Sequence, residues 1–109
     1  MSLERVIKAL VSLGLTRIDA EVYVILAKKG PQTKVDLARA LDYSTHNIST
    51  SLTTLITKGL VNKNDEMFSA LPFEEALELL IELEKKQAQT LYENKEELLA
   101  SWNKDTKSV

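Results

Sequence analysis

Six hydroxyl side chains crowd into positions 49–57: Ser49, Thr50, Ser51, Thr53, Thr54 and Thr57. Thr45, His46 and Asn47 stand just before them. At 100° per residue, Ile48, Leu52 and Leu55 share one side of a helix. His46, Asn47, Thr50, Thr53, Thr54 and Thr57 share the other. Short hydroxyls and a carboxamide on one helix face can hydrogen-bond the edges of bases in a major groove. Asn pairs in bidentate fashion with adenine, and Thr bonds or sets its methyl against thymine. The competing reading is a merely solvated polar face. Ser and Thr each cost roughly a few tenths of a kcal/mol in a helix relative to Ala, so a cluster of them serves stability poorly. The expected base-reading residues are Thr45, His46, Asn47 and Thr50, with Thr53 and Thr54 nearer the backbone.

Phosphate contacts are expected from Lys34, Lys58 and Lys63 and from the helix N-termini capped by Thr33 and Ser44. Arg17 and Arg39 are weaker candidates. Asp65 and Glu66 would repel phosphate, which argues against deep insertion of that segment into a minor groove.

Other chemistries lack their residues. There is no cysteine and only one histidine, His46, so neither a metal site nor a disulfide framework is expected. No nucleophile motif, glycine-rich phosphate loop or carboxylate pair stands out, so no catalytic residue and no cofactor is expected. No signal peptide and no long apolar run occurs, which leads to the expectation of a soluble, cytoplasmic protein without a membrane partner.

The net charge of −2 argues on its face against a nucleic-acid partner. Its distribution changes that: residues 1–73 carry nine Lys/Arg and seven Asp/Glu, residues 74–109 five and nine. The acidity belongs to the C-terminal part, and DNA binding would rest on a local patch.

The 109 residues suit one domain. Leu3 to Leu13 has helical spacing, with Ser2 as N-cap and Gly14 as the stop. Thr16 with Asp19 three residues on reads as an approximate capping box, and the helix it opens ends before Pro31. Thr33 caps a third helix, whose Leu37, Ala38 and Leu41 face inward. Asp42-Tyr43 makes a turn, with Asp42 suited to left-handed geometry. Ser44 caps the fourth helix, about 44–58, which stops at Gly59. Leu60-Val61 begins one strand of a short β-hairpin and Met67–Leu71 forms the other, with turn chemistry expected over Asn62–Glu66. Pro72 ends it, and a long helix follows from about 73 to about 101, with a frayed tail after Trp102. The expected fold is mainly α with a small β-hairpin: a winged helix-turn-helix over 1–72, then a long C-terminal dimerisation helix over 73–109.

In that helix Leu77, Ile81, Ala88, Leu91, Leu98 and Trp102 recur at spacings of three and four, broken by Glu84 and Lys95. This resembles a short, imperfect coiled coil. Near its start the helix is apolar almost all round, Leu80 included, so it must be covered on more than one side. A second copy of the chain is the expected cover, with Leu77, Leu80, Ile81, Ala88, Leu91, Leu98 and Trp102 at the interface. A helix folded back on its own domain is the alternative. A homodimer would present two reading helices to a pseudo-palindromic duplex.

Residues 14–61 resemble the DNA-binding domain of TrmB-like transcriptional regulators. The matching residues are Gly14-Leu15-Thr16, Ala20-Glu21-Val22-Tyr23, Gly30, Leu52, Leu55 and Lys58-Gly59-Leu60-Val61. Ala70–Leu77 resembles the beginning of that family's linker helix, and the likeness spans about residues 3–85. MarR-like winged helices share parts of it. The family often has an aromatic residue where this chain has Ser49, and its larger members carry a sugar-binding domain to which nothing here corresponds. The resemblance implies binding of double-stranded DNA and says nothing of a small-molecule effector. A protein-interaction winged helix within a larger transcription-related assembly is the other class of function compatible with the low charge.

Overall fold

Threonine and serine caps open three of the helices. In the computed structural model, which describes residues 3–107 and side chains through 104, Thr16 Oγ1 accepts from the Asp19 N–H at 3.1 Å. The Thr16 N–H returns to Asp19 Oδ2, which completes the expected capping box. It opens helix α2 (Arg17–Lys29), which follows α1 (Glu4–Ser12). Ser2, expected as the N-cap of α1, lies outside the described residues. Thr33 accepts from the Asp36 N–H to open α3 (Lys34–Leu41), and Ser44 from the Asn47 N–H to open α4 (Thr45–Thr57). Between α3 and α4, Asp42 takes the left-handed conformation expected of it (φ 58°, ψ 40°).

The sheet has three strands where the residue pattern predicts two. β1 (Gln32–Thr33), β2 (Val61–Asn64) and β3 (Met67–Ala70) form an antiparallel sheet in the order β1-β3-β2. Gln32 pairs with Phe68 and Thr33 with Met67, while Val61 pairs with Ala70 and Asn64 with Met67. Two residues carry no periodicity of their own. β1 exists because β3 would otherwise leave its second edge unpaired.

The core is a single cluster joining α1, α2, α3, α4, the sheet and the start of the C-terminal helix. Leu10, Val22, Leu37, Ile48, Leu55, Leu60 and Ala76 are fully buried in it. Tyr23 is buried too, and its hydroxyl donates to the Leu71 carbonyl at 2.5 Å, so the one polar atom of a core aromatic is satisfied. Burial pushes the Tyr23 phenol above its ordinary range.

The long helix is two helices, α5 (Phe73–Glu93) and α6 (Lys95–Lys107), interrupted at Asn94. The Asn94 side-chain amide donates to the Thr90 carbonyl at 2.9 Å, a local bond by which Asn competes with continued helix. α6 runs on to Lys107, past the Trp102 at which fraying is expected. Only the first part of α5 packs on the core, through Ala76, Leu79 and Leu80. Beyond Glu84 every residue through Lys104 is exposed. The radius of gyration is accordingly 17.6 Å, against roughly 13 Å for a compact chain of this length. Among the described residues, no helix is long and apolar enough to cross a membrane.

Candidate nucleic-acid interface

The polar face of α4 is built from beneath. Ile48, Leu52 and Leu55 are buried at 0–2% exposure and fix the helix to the core. A second fastening is polar. Ser51, one of the six clustered hydroxyls, is turned inward and donates to Asp19 Oδ1 at 2.7 Å. Asp19 and Ser51 are the buried polar residues of the described core, at 5% and 3% exposure. Asp19 thus caps α2 with one oxygen and holds α4 with the other. Residue spacing identifies the cap; it does not identify the link to Ser51, which joins residues 32 apart.

Above this base, Thr45, His46, Asn47, Thr50 and Thr53 are exposed and Thr54 is half-buried. The helix sets His46, Asn47, Thr50, Thr53 and Thr54 on one side, while Thr45, at its first residue, lies toward the Leu52 side. The three threonines share a further feature. Thr50 Oγ1 donates to the His46 carbonyl at 3.1 Å, Thr53 to Ser49 at 3.0 Å and Thr54 to Thr50 at 3.2 Å. Their hydroxyl protons are directed back into the helix, which leaves oxygen lone pairs as what each hydroxyl can offer a partner.

The candidate cations are spread over three elements. Lys34 is exposed on the first residue of α3, and Lys58 is half-buried at the end of α4. Lys63 lies on β2 opposite Phe68, with its ammonium 5.8 Å from that ring's centroid. The wing's turn is Asp65-Glu66, both exposed, with Asp65 at φ 57°. The wing tip therefore carries negative charge.

Arg17 points elsewhere. Its two terminal nitrogens grip both carboxylate oxygens of Glu4, at 2.5 and 2.8 Å, and its Nε lies 3.8 Å from Glu21. That bidentate bond holds the Glu4 carboxyl below its ordinary range and raises the Arg17 guanidinium above its own. Glu21 in turn accepts from the Tyr43 hydroxyl, which pushes the phenol up. Tyr43 sits in the turn before α4, so this chain of contacts steadies the entry to α4 from the α2 side. Arg17 serves that network.

Of the candidate pairing residues, Leu80 is 1% exposed and belongs to the chain's own core. Leu77 is half-buried. Ile81, Ala88, Leu91, Leu98 and Trp102 are exposed, with Leu91 at 62% and Trp102 at 66%. An all-round apolar segment shows no preferred side to periodicity; the domain takes the Leu80 side. Among the described residues, no group of three or more His, Cys, Asp or Glu could hold a metal ion.

A family model described as "Sugar-specific transcriptional regulator TrmB" matches residues 10–74. No curated protein matches the chain. Among solved structures, a possible transcriptional regulator from Methanosarcina mazei Go1 superposes with a TM-score of 0.60 at 17% identity, over 89% of this chain and 88% of that one. The transcriptional regulator Tm0710 from Thermotoga maritima gives 0.57 at 16% identity, over 94% and 80%. At such identities the likeness is one of fold, a winged helix with a C-terminal helical extension.

Proposed function

The chain belongs to the TrmB family of transcriptional regulators, which are not enzymes, and from that premise we propose that it binds duplex DNA sequence-specifically as a small homodimer. In this reading α4 lies in the major groove, and Thr45, His46, Asn47 and Thr50 reach base edges. Thr53 and Thr54 lie nearer the backbone. Lys34, Lys58 and Lys63, with the capped N-termini at Thr33 and Ser44, meet phosphates. Residues 1–72 form the reading domain, and residues 73–109 bring two copies together. It would act in the cytoplasm, beside the chromosome.

The observation that carries this reading is the division of α4 into an anchored apolar side and an exposed hydroxyl-and-amide side. Because the threonine protons are directed into the helix, these residues would act as acceptors for base amino groups, on adenine or cytosine, and as methyl contacts for thymine. The cations are few, so one copy supplies little counterion release and affinity depends on two copies acting together.

Selection of bound sequences from random duplex DNA, at two salt concentrations, tests the proposal. A recovered two-fold motif with salt-dependent affinity is the expected result. Failure to enrich any sequence, with no salt slope, would favour a protein-interaction winged helix instead, a reading that the acidic wing tip Asp65-Glu66 favours.

A further inference from the structure

The seam of α5 and α6, half-buried at Leu77 and Glu84 and exposed at its other positions, carries two charged residues that make no sense in a hydrophobic contact until its direction is considered. The seam positions are Leu77, Ile81, Glu84, Ala88, Leu91, Lys95, Leu98 and Trp102. Their spacings run four, three, four, three, four, three, four, so the seam is symmetric about the midpoint between Ala88 and Leu91. The interruption at Asn94 preserves this phase. The Asn94 N–H still donates to the Thr90 carbonyl and the Leu98 N–H to the Asn94 carbonyl, at 3.1 and 3.0 Å, both four residues apart.

We propose that two copies of the chain pair α5–α6 antiparallel, with Glu84 of each facing Lys95 of the other. This rests on the homodimer reading above and adds direction and register to it. A parallel, in-register pair would set Glu84 against Glu84 and Lys95 against Lys95 inside the contact. Like charges so placed are strongly unfavourable. Reversing one helix turns both clashes into opposite-charge pairs. It also sets Leu77 against Trp102, Ile81 against Leu98, and the small Ala88 against the larger Leu91, so bulky and small positions interlock. Four of its apolar members are solvent-exposed, Ile81 at 38%, Leu91 at 62%, Leu98 at 54% and Trp102 at 66%, while Leu77 is half-buried. Leu80, on the face turned to the domain, takes no part.

The arrangement places the two winged domains at opposite ends of a rod. Leu80 of one copy and Leu80 of the other would lie about 28 Å apart along it, at 1.5 Å per residue. Parallel pairing would put them side by side.

The test combines mass, charge reversal and cross-linking in the full chain. Sedimentation equilibrium of the parent should give a dimer. Glu84→Lys and Lys95→Glu, made separately, should each weaken dimerisation about tenfold or more, since each creates two like-charge contacts, and the double variant should recover it. Circular dichroism checks that each variant keeps its helix content. The chain has no cysteine, so introduced ones report cleanly. Ile81→Cys and Leu98→Cys should form an intermolecular disulfide when the two variants are mixed, and neither should cross-link to itself. Efficient self-cross-linking of each single variant would mean parallel pairing and would overturn the proposal. A dimer indifferent to both reversals and to both cysteines would also overturn it, by placing the contact elsewhere. A monomeric parent would remove the homodimer reading itself.

Discussion

Ser51 on α4 donates its hydroxyl proton to Asp19 on α2 at 2.7 Å, and both side chains are buried. A carboxylate there serves two purposes, since its other oxygen receives the Thr16 N–H. Asp19→Ala removes an N-terminal cap partner and leaves a buried hydroxyl without its acceptor. It should cost about 3 kcal/mol of stability. Ser51→Ala, which deletes only the donor, should cost about 1–2 kcal/mol. Urea unfolding with an unchanged slope measures both. Equal, negligible costs would mean that the pair does not fasten α4.

Leu80 and Ile81 are neighbours in sequence, the first buried in the core and the second exposed. Leu80→Ala should destabilise the folded domain by about 2–5 kcal/mol, as large-to-small core substitutions do. Ile81→Ala should leave the fold nearly unchanged and weaken association. Unfolding curves at two protein concentrations separate the two effects. If Ile81→Ala lowered stability as much as Leu80→Ala, the seam would not be an exposed surface.

On the reading face, Asn47→Ala and Thr50→Ala should each cost about 1–3 kcal/mol against the preferred duplex, with little effect on random DNA. Competition binding with both duplexes measures the difference. Unchanged discrimination in both variants would move the reading surface off this face.

Lys34→Ala and Lys58→Ala should act differently. Each should weaken binding to all duplexes alike and reduce the slope of log affinity against log salt by about 0.9 for each phosphate no longer neutralised. A weakening confined to one sequence would mean that these lysines touch bases.

The Arg17 grip on Glu4 predicts a pH effect of definite sign. The folded-state pKa of Glu4 is lowered, so the pair's contribution is present above the ordinary carboxylate range and is lost as pH falls through the folded value. Arg17→Ala should shift the Glu4 titration upward, as followed by carboxylate NMR. The exposure of both side chains keeps the effect on stability small. A Glu4 titration unmoved by the substitution would rule out Arg17 as the cause.

Much of this fold is legible locally. Thr16, Thr33 and Ser44 announce their helices because a cap needs one hydroxyl and one amide three residues on, all within a single turn. Asp42 announces its turn in the same way. What local reasoning misses depends on distant partners. β1 is created by Met67 and Phe68, more than thirty residues downstream. Ser51 looks like one more outward hydroxyl until Asp19 is brought beneath it. Leu80 looks like an interface residue because an all-apolar turn shows no preferred side. Asn94 carries a visible signal, a poor helix former ahead of the acidic pair Glu96-Glu97, and that signal suits a second helix start.

Asp19 and Tyr23 stand four residues apart and so share one face of α2. The first holds Ser51 on the reading helix, and the second holds the Leu71 carbonyl, one residue before the proline that opens α5. A single helical turn is therefore the hub to which both lever and blade are fixed. The same helical turn therefore contacts both the entry to α5, through the Leu71 carbonyl, and α4, through Ser51. A substitution in that turn would disturb the seating of α4 and of α5 together.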